Sequence, residues 1–185
     1  LKKDAVITSN TSGISIAELI DGMDSDMASR FFITHFFNPP RYMKLVEIIP
    51  SEKTNADLIP PMAVFLEETL GKGVVYAKNT PNFIANRIGV YGMMVTLEEA
   101  RKKQLSIEDV DGLTGSLIGR PKSATFRTAD VVGLDTMCFV ANTAYEKCTD
   151  DPERETFKIP DYLQKMVDNE WLGQKSKQGF YKKID

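Results

Sequence analysis

The 185-residue chain carries one histidine and two cysteines, and each scarcity removes a class of chemistry. A zinc site draws three or four ligands from His, Cys and carboxylate, and a single histidine with two isolated cysteines does not supply the usual sets. Cys138 and Cys148 stand ten residues apart in what reads as one helix. That is too far along a helix axis for a disulfide, so two free thiols in a reducing cytoplasm are expected. Cationic excess is missing too: 23 Lys and Arg against 26 Asp and Glu leave a formal charge of -3. Without a chain-wide basic field, nucleic acid as the main partner and adhesion to anionic membranes are both disfavoured. No run of about twenty apolar residues is present to span a bilayer. Internal repeats and low-complexity tracts are also lacking. The Leu1-Lys2-Lys3-Asp4 start has neither an initiator Met nor a signal-peptide apolar region behind it, which points to a segment of a longer polypeptide.

What remains is an ordinary globular composition, 42% hydrophobic and 26% charged, long enough for one domain or a domain plus part of another. Asp4–Thr8 reads as a short strand breaking into the polar loop Ser9–Gly13. Ser15 and Glu18 form a capping box for a short helix that Gly22 ends. Two apolar runs, 31–37 and 43–49, read as strands. Their connection, Asn38-Pro39-Pro40-Arg41-Tyr42, is too short for a parallel crossover and predicts an antiparallel pair. A helix over 54–70 with Gly71 as its cap must either start at Pro60 or bend there. Val74–Ala77 is a short strand, and the Lys78–Asn82 loop is the expected domain boundary, after which strands give way to helices. Apolar residues on more than one stripe of 83–101 predict a central, largely buried helix. Further helices are expected from Ser106 to about Gly115, around Phe126–Val132, from an Asp135 cap to about Cys148, and from Pro160 to Asn169, with an ordered tail at 175–181.

The chemistry concentrates between residues 31 and 49. In paired strands, alternate side chains share a face, so His35 lies with Phe31, Ile33 and Phe37, and Glu47 with Leu45 and Ile49. A carboxylate on an apolar face costs several kcal/mol unless it is paired, and His35 is the nearest candidate partner. An imidazole of ordinary acidity takes up a proton near neutral pH, and a buried carboxylate beside it can fix its tautomer and support the imidazolium. Spacing alone favours the plainer account, a satisfied histidine in an apolar hairpin. Ser12 reads more readily as a turn residue than as a ligand contact. Asn86, on an otherwise apolar helix face, fits a local backbone partner and a functional role equally well.

Taken together, the ordered motifs narrow the choice. Ser9-Asn10-Thr11-Ser12, His35-Phe36-Phe37-Asn38-Pro39-Pro40, Met43–Glu47, Thr80–Arg87, Gly119-Arg120-Pro121, Asp130–Asp135 and Gly173–Tyr181 closely resemble the L-3-hydroxyacyl-CoA dehydrogenases of fatty-acid β-oxidation, along essentially the whole chain. The 119–126 segment is most similar to the long bacterial multifunctional versions. The resemblance implies the last strands of a Rossmann-type NAD-binding domain over 1–79 and an all-α C-terminal domain over 80–185. It implies NAD as cofactor, an acyl-CoA thioester as substrate and a homodimer through the helical domain. His35 would be the general base toward the 3-hydroxyl and Glu47 its orienting partner. Ser12 and Asn86 would contact substrate, and Ser12, Asn38 and Lys175 would lie toward the cofactor. Two departures stand out. Asn82 replaces the glycine usual in the family after Pro81, and no Gly-x-Gly-x-x-Gly turn occurs in these residues, so the chain alone is expected to bind NAD poorly. Two other readings remain: a relative acting on a free hydroxy acid such as L-gulonate, against which Phe36-Phe37 argues, and a non-catalytic helical dimerisation module.

Overall fold

The computed structural model describes residues 2–184. The chain divides into two compact units, Leu1–Ile84 and Ala85–Asp185.

The first unit is a four-stranded sheet in the order β1-β2-β3-β4, with β1 at Ile7–Ser9, β2 at Phe31–Phe36, β3 at Leu45–Pro50 and β4 at Gly73–Tyr76. β2 and β3 are antiparallel as the short connection requires, whereas β1 runs parallel to β2 and β4 parallel to β3. Both faces are covered, which is why β2 reads as a nearly unbroken apolar run. Phe31, Ile33 and Ile49 pack with Ile16, Ile20, Ala28 and Phe83 on one face. Phe32, Val46 and Ile48 pack with Ala63 and Leu66 on the other.

The short helices have local causes. α1, Ile16–Leu19, is capped by the Ser15 hydroxyl, which accepts the Ala17 N–H at 3.3 Å. α2, Ser25–Ser29, escapes sequence reading because five residues are too few to show a period; Asp24 caps it through the Met27 N–H at 2.7 Å. At Pro60-Pro61 the helix starts rather than bends. A 3₁₀ turn over Ala56–Leu58 leads into α3, Ile59–Val64, with proline in its first turn, and a π-type turn over Phe65–Thr69 follows. Gly71 ends it at φ +65°, the left-handed conformation that glycine adopts freely.

The second unit is helical: α4 at Ala85–Lys102, α5 at Ile107–Thr114, α6 at Phe126–Val132, α7 at Leu134–Lys147 and α8 at Asp161–Asp168. α4 buries one stripe, Val90, Met94, Leu97 and Ala100, against Phe126, Leu134, Met137, Ala141 and Leu163. Ile88 stays exposed, so the helix is more one-sided than its sequence implied. Asp135 is not the cap of α7. The cap position is Gly133, at φ +97°, and Asp135 sits in the first turn, where its carboxylate takes the Lys175 ammonium at 2.6 Å. Cys138 and Cys148 are buried free thiols.

Two buried aspartates tie this unit together across long stretches of sequence. Asp111 accepts the backbone N–H groups of Thr125, Phe126 and Arg127 at 3.0, 2.7 and 3.1 Å and the Tyr181 hydroxyl at 2.9 Å. A carboxylate thus caps the start of α6, where the amides lack helical partners and the helix dipole favours negative charge. Asp130 accepts the N–H groups of Phe180 and Tyr181, both at 2.9 Å. The tail passes so close that a Cβ on Gly179 would lie 2.6 Å from the Gly173 Cα and run into the Asp130 carboxylate. Only glycine fits there.

Candidate functional site

The site assembles within the first unit, at the end of β2. In the β2–β3 register His35 lies directly opposite Glu47, so both side chains leave the same face. His35 Nδ1 stands 2.8 Å from Glu47 Oε2. His35 is 6% exposed and Glu47 fully buried. A carboxylate in such a place requires partners for both oxygens. The second oxygen, Oε1, accepts the Ile84 backbone N–H at 3.0 Å. With Nδ1 donating to the carboxylate, the ring presents Nε2 as its acceptor, and Nε2 takes no hydrogen bond among the described residues. This arrangement can receive a proton at Nε2 and stabilise the resulting imidazolium through Glu47.

Two aromatic rings flank the imidazole: Phe37 at 4.5 Å between centroids, and Phe83, edge-on, at 5.6 Å. The loop after β1 is tied to the same strand end, because the Asn10 side-chain oxygen accepts the Phe36 N–H at 2.8 Å. Ser12 sits half-buried in that loop, and its hydroxyl makes no hydrogen bond among the described residues. Asn38 is exposed in the β2–β3 connection. That connection is held by the Lys72 ammonium, which donates to the carbonyls of Pro40 and Met43.

The other two sequence candidates lie in the second unit. Asn86 is half-buried at the second position of α4. Lys175 is exposed and paired with Asp135, whose carboxyl it holds below the usual range. Sequence reasoning missed Phe83 and the Ile84 amide. The signal was Asn82, where the usual glycine hints at a special backbone: Asn82 has φ +63°, a left-handed conformation that asparagine tolerates better than most side chains. The replacement keeps the turn that glycine would make.

Comparison with known proteins identifies the family. Residues 1–80 match the family described as 3-hydroxyacyl-CoA dehydrogenase, NAD binding domain, and residues 83–183 match 3-hydroxyacyl-CoA dehydrogenase, C-terminal domain. The chain belongs to the 3-hydroxyacyl-CoA dehydrogenase family. Within that family it is 54% identical, over 98% of its length, to a probable 3-hydroxyacyl-CoA dehydrogenase of Bacillus subtilis, of which it covers 23%. It is 46% identical, over 99% of its length, to one from Deinococcus radiodurans, of which it covers 52%. The chain therefore spans about a quarter of one of these relatives and about half of the other. Among solved structures, M. tuberculosis FadB2 matches all of this chain at a TM-score of 0.88 and 29% identity, with 62% of that protein covered. The (S)-3-hydroxybutyryl-CoA dehydrogenase PaaH1 of Ralstonia eutropha matches 97% of the chain at 0.82 and 29%, with 61% of that protein covered. The sheet is thus the closing part of a Rossmann-type NAD-binding domain, followed by the family's helical domain. No helix among the described residues is long and apolar enough to cross a membrane.

The residues present fit one end of the NAD cofactor better than the other. The post-β1 loop, with its Ser12 hydroxyl, adjoins the β2 end that carries His35, to which the Asn10–Phe36 bond ties it. The pyrophosphate end is normally seated on a Gly-x-Gly-x-x-Gly turn, and Gly71-Lys72-Gly73 precedes a strand and lacks the third glycine.

Proposed function

We propose that this chain supplies the proton-transfer machinery for oxidation of an L-3-hydroxyacyl-CoA to the 3-oxoacyl-CoA, with NAD as hydride acceptor, in fatty-acid β-oxidation. The observation that carries the reading is the buried His35–Glu47 pair, 2.8 Å apart at opposed strand positions. Substrate binds with its 3-hydroxyl toward Nε2. His35 takes the hydroxyl proton as general base, and Glu47 holds the ring in the Nδ1–H tautomer and offsets the charge it acquires. The cofactor, when bound, accepts the hydride leaving C3. Ser12 and Asn38 lie toward the nicotinamide in this reading, Asn86 contacts the substrate near the reacting oxygen, and Lys175 belongs to the ligand-facing tail. The domain boundary is placed between residues 79 and 80, the protein works in the cytoplasm, and the helical domain forms a homodimer.

The test is turnover of a 3-hydroxyacyl-CoA by a full-length protein carrying this segment. His35→Gln should lower kcat by about 10²- to 10⁴-fold, the usual worth of a general base, with folding intact. Undiminished turnover would remove His35 from the mechanism. Comparing the CoA thioester with the free hydroxy acid separates this reading from a free-acid dehydrogenase.

A further inference from the structure

Asn82 and Phe83 are consecutive non-glycine residues in the left-handed region, at φ +63° and +51°. Asparagine tolerates that region; a bulky aromatic residue does so only when its surroundings over-determine it. The turn achieves two things at once. It lays the Phe83 ring, 5% exposed, edge-on to the His35 imidazole at 5.6 Å. It also aims the next amide, Ile84 N–H, at Glu47 Oε1 at 3.0 Å, while Oε2 of the same carboxylate holds His35 Nδ1 at 2.8 Å. One short turn therefore restrains both members of the pair: the imidazole through a ring and the carboxylate through an amide. An extended backbone at residue 83 would carry the ring and the following amide away from both.

We propose that Phe83 is a positioning residue for His35, and that the left-handed Asn82–Phe83 turn is kept because it places the Phe83 ring on the imidazole and the Ile84 amide on Glu47. The inference rests on the reading of His35 as the base, but its test does not depend on turnover. His35 is the only histidine in the chain, so its ring nitrogens and protons can be observed by NMR without ambiguity. In the 185-residue chain the Nδ1–H tautomer should dominate near neutral pH, with the Nδ1 proton protected from solvent exchange.

Phe83→Leu keeps apolar bulk but removes the ring; it should raise exchange of that proton about tenfold and mix the tautomers, as expected for a loosened site. Phe83→Tyr, which keeps the ring, should restore the wild-type signature. In a full-length protein Phe83→Leu should lower kcat with little change in KM. If Phe83→Leu does not fold, Phe83→Met serves the same comparison. An unchanged tautomer and exchange rate in a folded Phe83→Leu or Phe83→Met chain would overturn the proposal. Full activity of His35→Gln would instead overturn the reading beneath it, leaving the NMR result standing.

Discussion

Buried carboxylates are used differently in the two units. Asp111 and Asp130 bind backbone amides, three and two of them respectively, and Asp111 adds a tyrosine hydroxyl. Every one of those partners is structural, and the result is a helix cap and a pinned tail. Glu47 accepts the Ile84 amide on one oxygen and gives its other oxygen to an imidazole whose second nitrogen makes no hydrogen bond among the described residues. The number of partners does not distinguish a structural carboxylate from one built for proton transfer. What distinguishes them is whether the partner carries a second basic atom that can take up a proton, as the imidazole does at Nε2.

The comparison is sharpest where function and stability separate. Glu47→Gln leaves an amide that can still accept the Ile84 N–H, but its NH₂ group must donate to Nδ1, which inverts the histidine tautomer and removes the acceptor at Nε2. Loss of the correct tautomer in a comparable His–carboxylate pair costs about 10⁴-fold in kcat, so a fall of about 10²- to 10⁴-fold is expected in a full-length protein, with the fold retained. Steady-state kinetics beside the imidazole NMR spectrum checks it. A variant with normal kcat and an inverted tautomer would break the link between the two.

Asp111→Ala should do the reverse. It strands three backbone amides at the start of α6 and the Tyr181 hydroxyl, and a lost charged hydrogen-bond partner in a buried place costs about 1–3 kcal/mol or more. A destabilisation of about 3 kcal/mol is expected for the helical unit. Trp171, the only tryptophan and part of that unit, reports its unfolding in denaturant, while His35 reports the first unit. Loss of the His35 signature at native Trp171 fluorescence would contradict the assignment of Asp111 to the second unit's stability.

These two devices were unequally legible in the sequence. The His35–Glu47 pairing followed from alternation and a short connection, because both strands are read at period two and a five-residue link fixes their direction. Asp111 looked like any acidic residue on a helix, since its partners lie 14 to 70 residues away and no local pattern encodes them. Asp135 had the spacing of a helix cap, but Gly133 at φ +97° already turns the chain. The Asn82–Phe83 turn left only one trace, an asparagine in a glycine position. Periodicity reveals faces; it does not reveal which backbone amides will reach a carboxylate across the fold.

A smaller effect concerns pH. Burial and the bond to Asp111 push the Tyr181 phenol up to about 12, since hydrogen bonding to a carboxylate favours the protonated phenol. A folded pKa above the ordinary value near 10 means that this contribution to stability is complete below pH 10 and is lost as pH rises toward 12. Ultraviolet titration of tyrosinate should therefore show a late component that Tyr181→Phe removes. Burial raises Tyr162 to about 12 as well, so one late component should remain in the variant. Asp130 adds an acid counterpart: burial raises its carboxyl despite its two amides, so its contribution is fully present below its unfolded value and falls as pH rises through the folded one.

The smallest stability effect is expected at Lys175, and it bears directly on how the units differ. Its ammonium meets Asp135 at 2.6 Å, but the side chains are 48% and 41% exposed. An exposed pair of that kind contributes about 0–1 kcal/mol, screened further by salt. Lys175→Met should therefore shift the Trp171 unfolding midpoint only slightly, and less at high salt. Asp111 and Lys175 both hold the tail to the helices, so if the tail were held mainly by surface charge the two variants would be comparable in cost. If Lys175 also faces a bound ligand, as its place in the family motif implies, its removal should raise KM for NAD or the acyl-CoA without a matching loss of stability. A large stability loss with unchanged KM would assign the lysine to the tail alone.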